Sequence, residues 1–174
     1  ATHNSFKLFV DGELRGFLDA ICDPAEAVLK DYQHLPFTEQ FAHGVRGLEI
    51  DVFADPVGGK YSEFRVLSVL GYDGTSNIPE LNETGFKVFH DPNFDFRGRC
   101  YLYSSCLAQF VSWSNENPNH LPIFIHLQIR DNPTPVVGES EKFIKLLDLE
   151  IPVLLTKALL DDLDKEIRDF IPAE

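Results

Sequence analysis

Apolar and polar residues alternate in three segments of the chain, and this pattern predicts three β-strands. In the first segment Glu49 and Asp51 lie two positions apart, so an extended backbone points both carboxylates to one face and the intervening apolar side chains to the other. An acidic face of this kind needs a cation or protons to balance its charge. The three predicted strands cover residues 47–53, 86–90 and 121–129.

Apolar residues with helical spacing lie between and after these strands. Asp23 and Pro24 predict the start of a first helix, and Ser105 predicts the N-cap of a second. Residues 54–85 are rich in Gly, Ser, Asn and Pro and predict a long loop that covers or rims a site. The predicted helices cover residues 25–32, 106–114, 139–149 and 156–170.

The order strand, helix, strand, helix predicts an α/β fold, and we expect a (β/α)8 TIM barrel. A complete barrel takes about 250 residues, whereas this chain has 174 residues and only a short additional strand near its start. We therefore expect one domain, residues 1–174, that forms the N-terminal half of a barrel. The open sheet edges of such a half predict that the C-terminal half is missing, cleaved away or supplied by another chain.

The chain carries a formal net charge of −13. This charge excludes nucleic acid as a partner, and it excludes an anionic membrane surface as a partner held by bulk electrostatics. A phosphate ligand must therefore be recruited locally. A bound divalent cation would reverse the local field and achieve this.

Three cysteines leave the redox state open. Cys100 and Cys106 flank a turn-prone run, so a disulfide between them is feasible in an oxidising compartment, whereas three reduced and buried thiols are the alternative. Asn82 begins an N-glycosylation sequon in a polar stretch, which points the same way if the source is a secreting eukaryote. We expect a secreted or extracytoplasmic protein.

Four polar clusters lie at or near the predicted strand ends, where α/β folds place their chemistry. Together they offer carboxylate and amide oxygens, which are hard ligands for a divalent cation, and two histidines for proton transfer. This combination predicts a metal-assisted phosphoryl-transfer site. The clusters are Thr2-His3-Asn4-Ser5, Gly47-Leu48-Glu49-Ile50-Asp51, Phe89-His90-Asp91 and Leu127-Gln128-Ile129-Arg130-Asp131.

The order of these motifs resembles a known family, the calcium-dependent phosphoinositide phospholipase C type of phosphodiesterase, and especially its secreted microbial branch. The resemblance covers roughly residues 2–131 and is specific because four motifs recur in order. The matching segments are His3-Asn4-Ser5, Gly44 to Val52, Phe86 to His90, and Trp113-Ser114 followed by Leu121 to Ile125.

The resemblance implies a calcium site. Asn4, Glu49 and Asp51 would be metal ligands, and a further glutamate of the family would follow on the next strand. This chain has Gln128 at that position. A neutral amide still coordinates calcium through its oxygen, but it lowers the ligand charge and hence the affinity.

The resemblance also implies a mechanism. Calcium and Glu49 would promote deprotonation of the inositol 2-hydroxyl, which attacks the phosphate and cleaves the glycerophosphate bond of a phosphatidylinositol-type lipid. His3 and His90 would stabilise the phosphoryl oxygens and exchange protons with the nucleophile and the leaving group, and Arg130 would pair with a phosphate oxygen. The partner would be a phosphoinositide lipid or related phosphodiester, with peripheral membrane contact.

Two other functions remain open from the sequence. A glycerophosphodiester phosphodiesterase would use a similar site, although that family begins with a His-Arg-Gly type motif rather than the His3-Asn4 seen here. A decayed, non-catalytic barrel acting as a binding module would account for Gln128 and for the short length.

Overall fold

Strand β1, Gly47–Asp55, is the centre of a three-stranded sheet in the computed structural model, which describes residues 1–21, 28–132 and 141–171. The other strands are β2, Gly85–Val88, and β3, Phe124–Arg130. The helices are α1, Gly12–Ile21; α2, Phe37–Ala42; α3, Arg65–Val69; a 3-10 helix, Pro79–Asn82; α4, Tyr103–Glu116; α5, Glu141–Leu146; and α6, Lys157–Phe170.

The sheet is mixed, with the strand order β2-β1-β3. Strand β3 runs parallel to β1 and places Gln128 opposite Asp51. Strand β2 runs antiparallel to β1 and pairs Val88 with Val52. All three predicted strands are therefore confirmed, although β3 begins later than expected, after Pro122, which cannot donate a backbone hydrogen bond to the sheet.

The chain start adds a short parallel segment beside β1. The amide of Thr2 donates to the carbonyl of Gly47 at 3.0 Å, and the amide of Ser5 donates to the carbonyl of Glu49 at 2.9 Å. A parallel bridge joins Thr2 to Leu48. These bonds hold residues 2–5 along the first half of β1.

The α/β class is confirmed, but the predicted (β/α)8 TIM barrel is wrong. In the described residues the sheet has three strands, contains an antiparallel pair and does not close. Residues 56–84 carry only a short α-helix and a 3-10 helix, so the chain turns back to the neighbouring edge instead of crossing over through a long helix, and β2 is therefore antiparallel. The expectation of a missing C-terminal half stays a prediction.

The apolar face of β1 packs into the main core. Leu48, Ile50 and Val52 are buried there, against Phe110 of α4 and Leu163 of α6. On its other face β1 carries Glu49 and Asp51. The alternation predicted from the sequence is thus the division between core and polar site.

Helix α6 packs against this core and contributes a half-buried carboxylate. Glu166 accepts hydrogen bonds from the amides of Ser104 at 2.9 Å and Phe86 at 3.4 Å, so it caps the first turn of α4 and the start of β2. The predicted cap at Ser105 is wrong, because α4 begins at Tyr103. The predicted helix 156–170 is confirmed, with the Thr156 hydroxyl accepting from the amide of Leu159.

Two other predicted helices fall partly outside the described residues. Residues 22–27 and 133–140 are not described, so the predicted helix 25–32 remains a prediction. Of the predicted helix 139–149, the described part is α5.

A disulfide joins Cys100 to Cys106, with the two Cα atoms 5.6 Å apart. Both residues are buried, and the bond ties the segment before α4 to the first turn of that helix. The bridge that the sequence left open is therefore present, and the alternative of three reduced thiols is wrong.

Removal of this disulfide tests its contribution to stability. Closing a loop of this length in the unfolded chain stabilises the folded state by about 2 kcal/mol, so we expect Cys100→Ser/Cys106→Ser to lower the free energy of urea unfolding by that amount. The untreated chain, denatured without reductant, should show a single reactive thiol, and Cys22→Ser should show none. Three reactive thiols in the untreated chain would contradict the assignment.

Candidate active site

Asn4 links the chain start to the acidic face of β1. Its backbone amide donates to Glu49 Oε2 at 2.6 Å, and its φ of +49° is a left-handed conformation that asparagine tolerates better than most residues. The hydroxyl of Ser5 accepts from the amide of Glu49 at 2.9 Å. These contacts fix the Glu49 side chain beside residues 3–5.

The Asn4 side chain is buried with its oxygen unpaired. Its Nδ2 donates to the Tyr32 hydroxyl at 2.8 Å, whereas its Oδ1 has no hydrogen-bond partner in the described part of the chain. A buried oxygen without a donor is costly. The geometry therefore presents Asn4 Oδ1 as a free ligand atom.

Asp51 is held by Arg130 from the neighbouring strand. Asp51 Oδ2 accepts from Arg130 Nε at 3.1 Å and from Arg130 Nη2 at 2.8 Å, and Nη2 also donates to Gln128 Oε1 at 3.2 Å. Asp51 Oδ1 is buried and finds no hydrogen-bond donor among the described residues. Burial raises the pKa of Asp51 above its ordinary value, and the neighbouring Arg130 only partly opposes this shift. A cation at Oδ1 would stabilise the ionised form.

The donor set fits calcium. Asn4 Oδ1 and Asp51 Oδ1 are buried, unpaired oxygens. Glu49 precedes Asp51 by two residues on β1, and its Oε2 accepts a hydrogen bond from the Asn4 amide. Oxygen atoms from carboxylates and amides are the ligands calcium prefers. Across the described ranges no three His, Cys, Asp or Glu side chains form a metal-binding group. The set proposed here combines two carboxylates with the amides of Asn4 and Gln128.

His3 lies at the open side of the site. Its imidazole is 74% exposed, and its Nε2 lies 3.5 Å from Glu49 Oε2. Its backbone carbonyl accepts from His34 Nε2 at 2.8 Å, so His34 has a structural role here. His3 is therefore placed to reach a ligand that contacts Glu49.

His90 follows β2 and is more enclosed, with 21% of its side chain exposed. Its Nδ1 lies 2.8 Å from Asp95 Oδ2. His90 is also close enough to Asp51 to lower the pKa of that carboxyl. The structure thus brings both predicted histidines to the carboxylates of β1.

Residues that the sequence reasoning missed line the same region. Tyr32 contacts Asn4 and His3, and burial together with the nearby charges of Asp95, Glu49 and Asp51 raises its pKa. No sequence pattern near Tyr32 signals this contact, since it comes from a separate segment. Asp95 had one signal, its position five residues after His90 in a turn-forming stretch.

An α/β domain with paired carboxylates, a free amide oxygen and two histidines at one site belongs to the class of proteins suited to metal-assisted phosphoryl transfer. A family model described as phosphoinositide phospholipase C, Ca2+-dependent, matches residues 1–174, and the chain belongs to this family. Membership confirms calcium as the cofactor and implies a phosphodiester hydrolase acting on phosphoinositide lipids. No curated protein and no solved structure matches the chain. The secreted microbial branch stays a prediction.

Asp91, next to His90, is a buried carboxyl of a different kind. Its Oδ1 accepts from the amides of Asn93 at 2.8 Å and Phe94 at 3.3 Å, and its Oδ2 has no partner in the described residues. Burial raises the pKa of Asp91 from 3.8 to about 6. The stability that this group contributes is therefore fully present below its unfolded pKa and is lost as the pH rises through about 6.

The variant Asp91→Asn tests how much stability the chain loses when the buried Asp91 carboxyl ionises. Asparagine keeps the oxygen that accepts from the two amides and removes the buried charge, so the variant should be more stable than the parent chain near neutral pH, by roughly 1–3 kcal/mol. The difference should vanish at pH values below the unfolded pKa. Urea unfolding over this pH range is the measurement, with exposed Asp162→Asn as the control. A variant less stable than the parent at every pH would contradict the account.

Proposed function

We propose that this chain cleaves the glycerophosphate bond of phosphatidylinositol-type lipids by attack of the inositol 2-hydroxyl on the phosphate. The observation that carries the proposal is the pair of buried, unpaired oxygens of Asn4 and Asp51 beside Glu49 in a calcium-dependent family. When bound, calcium would supply positive charge that favours the ionised hydroxyl and balances the phosphate. The metal ligands proposed are Asn4, Glu49, Asp51 and Gln128.

Glu49 would take the proton from the attacking hydroxyl. Its Oε2 is fixed by the Asn4 amide at 2.6 Å, and its side chain is only slightly exposed, so the carboxylate is oriented before substrate binds. His3 Nε2 lies 3.5 Å from the same oxygen and would donate to the phosphate. His90 would protonate the leaving glycerol oxygen, which gives a cyclic inositol phosphate.

Arg130 would pair with a phosphate oxygen. Its Nε and Nη2 are engaged by Asp51 and Gln128, while its Nη1 has no hydrogen-bond partner within the described ranges. A guanidinium already anchored on one side is preorganised for an anion on the other. This arrangement lets Arg130 serve Asp51 and substrate together.

Contact with the membrane would be peripheral. Among the described residues no helix combines the length and the apolar character needed to cross a bilayer. The net charge of −13 opposes attraction to an anionic surface, so recognition would depend on the single headgroup in the site. The disulfide between Cys100 and Cys106 supports the proposal of a secreted or extracytoplasmic location.

A binding module without turnover is the second candidate. Arg130 already neutralises Asp51, and Gln128 stands where the resemblance implies a carboxylate. Both features lower the negative charge available to calcium. Binding of inositol phosphate without any cleavage product would favour this function over catalysis.

Loss of either histidine tests the proposed reaction. We expect His3→Ala and His90→Ala each to lower turnover of phosphatidylinositol vesicles roughly 10²- to 10⁴-fold, because each removes a proton-transfer group. Turnover and formation of the cyclic product are followed by ³¹P NMR, with calcium and with chelator. Exposed His43→Ala is the matched control and should act like the parent chain. Near-normal turnover in both site variants, or turnover of glycerophosphodiesters alone, would refute the proposal.

Calcium affinity tests the ligand set separately from turnover. Asp51→Asn should weaken calcium binding measured by calorimetry, because it removes a charged ligand, and Gln128→Glu should strengthen it, because it adds one. Asp73→Asn should leave the affinity unchanged. Equal affinity in all four proteins would place the metal elsewhere.

A further inference from the structure

A buried ion pair lies directly behind His90. Lys7 Nζ is 2.8 Å from Asp95 Oδ1, and the two side chains are 0% and 1% exposed. The other oxygen, Asp95 Oδ2, lies 2.8 Å from His90 Nδ1. One carboxylate therefore bridges a buried ammonium and a histidine that faces the site.

The loop after β2 holds this carboxylate in place. The amide of Asp95 donates to the carbonyl of Asp91 at 2.9 Å, and the amide of Asp91 donates back to the carbonyl of Asp95 at 3.1 Å. The Asp91 side chain closes the turn inside this bridge by accepting from the amide of Asn93. Asp95 is thus fixed relative to His90 by backbone bonds that do not involve the imidazole.

Lys7 is the charge partner of Asp95. Its ammonium also donates to the carbonyl of Leu8 at 3.0 Å and lies 4.9 Å from the centre of the Tyr32 ring. A buried carboxylate needs such a partner, because burial alone would favour the neutral acid. An ionised carboxylate accepts hydrogen bonds and cannot donate them.

We propose that Asp95 is a positioning residue that fixes the tautomer of His90, with the proton on Nδ1 and with Nε2 directed to substrate. Since Asp95 Oδ2 only accepts, His90 Nδ1 must carry the hydrogen of their bond. Nε2 is then the atom that receives and releases the proton in the reaction. The role of Nε2 in turnover rests on the proposed function, whereas the tautomer does not.

The second histidine lacks this arrangement. His3 Nδ1 lies 3.4 Å from both the Tyr32 hydroxyl and Asn4 Nδ2, which are long contacts, and neither partner is a carboxylate. Its imidazole is also largely exposed. The two histidines therefore differ, with His90 held in one orientation and His3 free to adapt to the ligand.

The tautomer of His90 is the direct test. In ¹⁵N-histidine spectra of the whole chain, assigned by His90→Gln, the neutral imidazole of His90 should carry its proton on Nδ1. In Asp95→Ala it should shift to the Nε2–H form that predominates in free histidine. Asp19→Asn, which removes an exposed helix carboxylate, is the matched control and should leave the signal unchanged.

A second variant guards against loss of folding. Lys7→Met/Asp95→Leu replaces the buried pair with apolar side chains, a change that proteins often tolerate. In this variant too, His90 should shift from the Nδ1–H to the Nε2–H tautomer. If the parent chain turns over phosphatidylinositol vesicles, both variants should lose roughly 10²- to 10⁴-fold in kcat with little change in KM.

The outcomes separate the two claims. An Nε2–H tautomer in the parent chain, or an unchanged tautomer in Asp95→Ala, would overturn the proposal. If the His90 tautomer switches between the parent chain and Asp95→Ala but the parent chain shows no turnover, the positioning contact is supported and the proposed function is rejected. A switch accompanied by the kcat loss supports both.

Discussion

Pairing along strand β1 is the constraint on which the rest of this structure depends. Its first half is hydrogen-bonded to the chain start on one edge and to β3 on the other, and its second half pairs with β2. Because side chains alternate along a strand, the same register that buries Ile50 in the core places Asp51 opposite Gln128. A slip of one residue would exchange core and site.

Specific cationic side chains balance some of the buried carboxylates near the site. The chain is strongly acidic, yet two of the buried carboxylates near the site each have a specific cation: Arg130 for Asp51, and Lys7 for Asp95. Beside Glu49, the oxygens Asn4 Oδ1 and Asp51 Oδ1 stay without a hydrogen-bond donor among the described residues. The calcium dependence of the family is consistent with these oxygens, since a bound cation would supply the positive partner that neither oxygen has in the described part of the chain.

The sequence predicted local features better than connections. Alternation located the strands and the two faces of β1, and the resemblance located Asn4 and the paired carboxylates. The direction of β2 depends on how residues 56–84 return to the sheet, which no periodicity encodes, so the barrel was wrongly inferred. Helix α1 was missed although Leu14 and Leu18 are spaced by four, because the segment is short. Tyr32 and Lys7 reach the site only through tertiary contacts.

The central claim is that Asn4 and Asp51 offer their free oxygens to calcium. A crystal structure of the chain grown with calcium, with the metal located by its anomalous scattering, tests this most directly. The account predicts one site with bonds of about 2.3–2.6 Å to Asn4 Oδ1 and Asp51 Oδ1. A calcium ion bound elsewhere, with these two oxygens accepting hydrogen bonds from the protein, would contradict it.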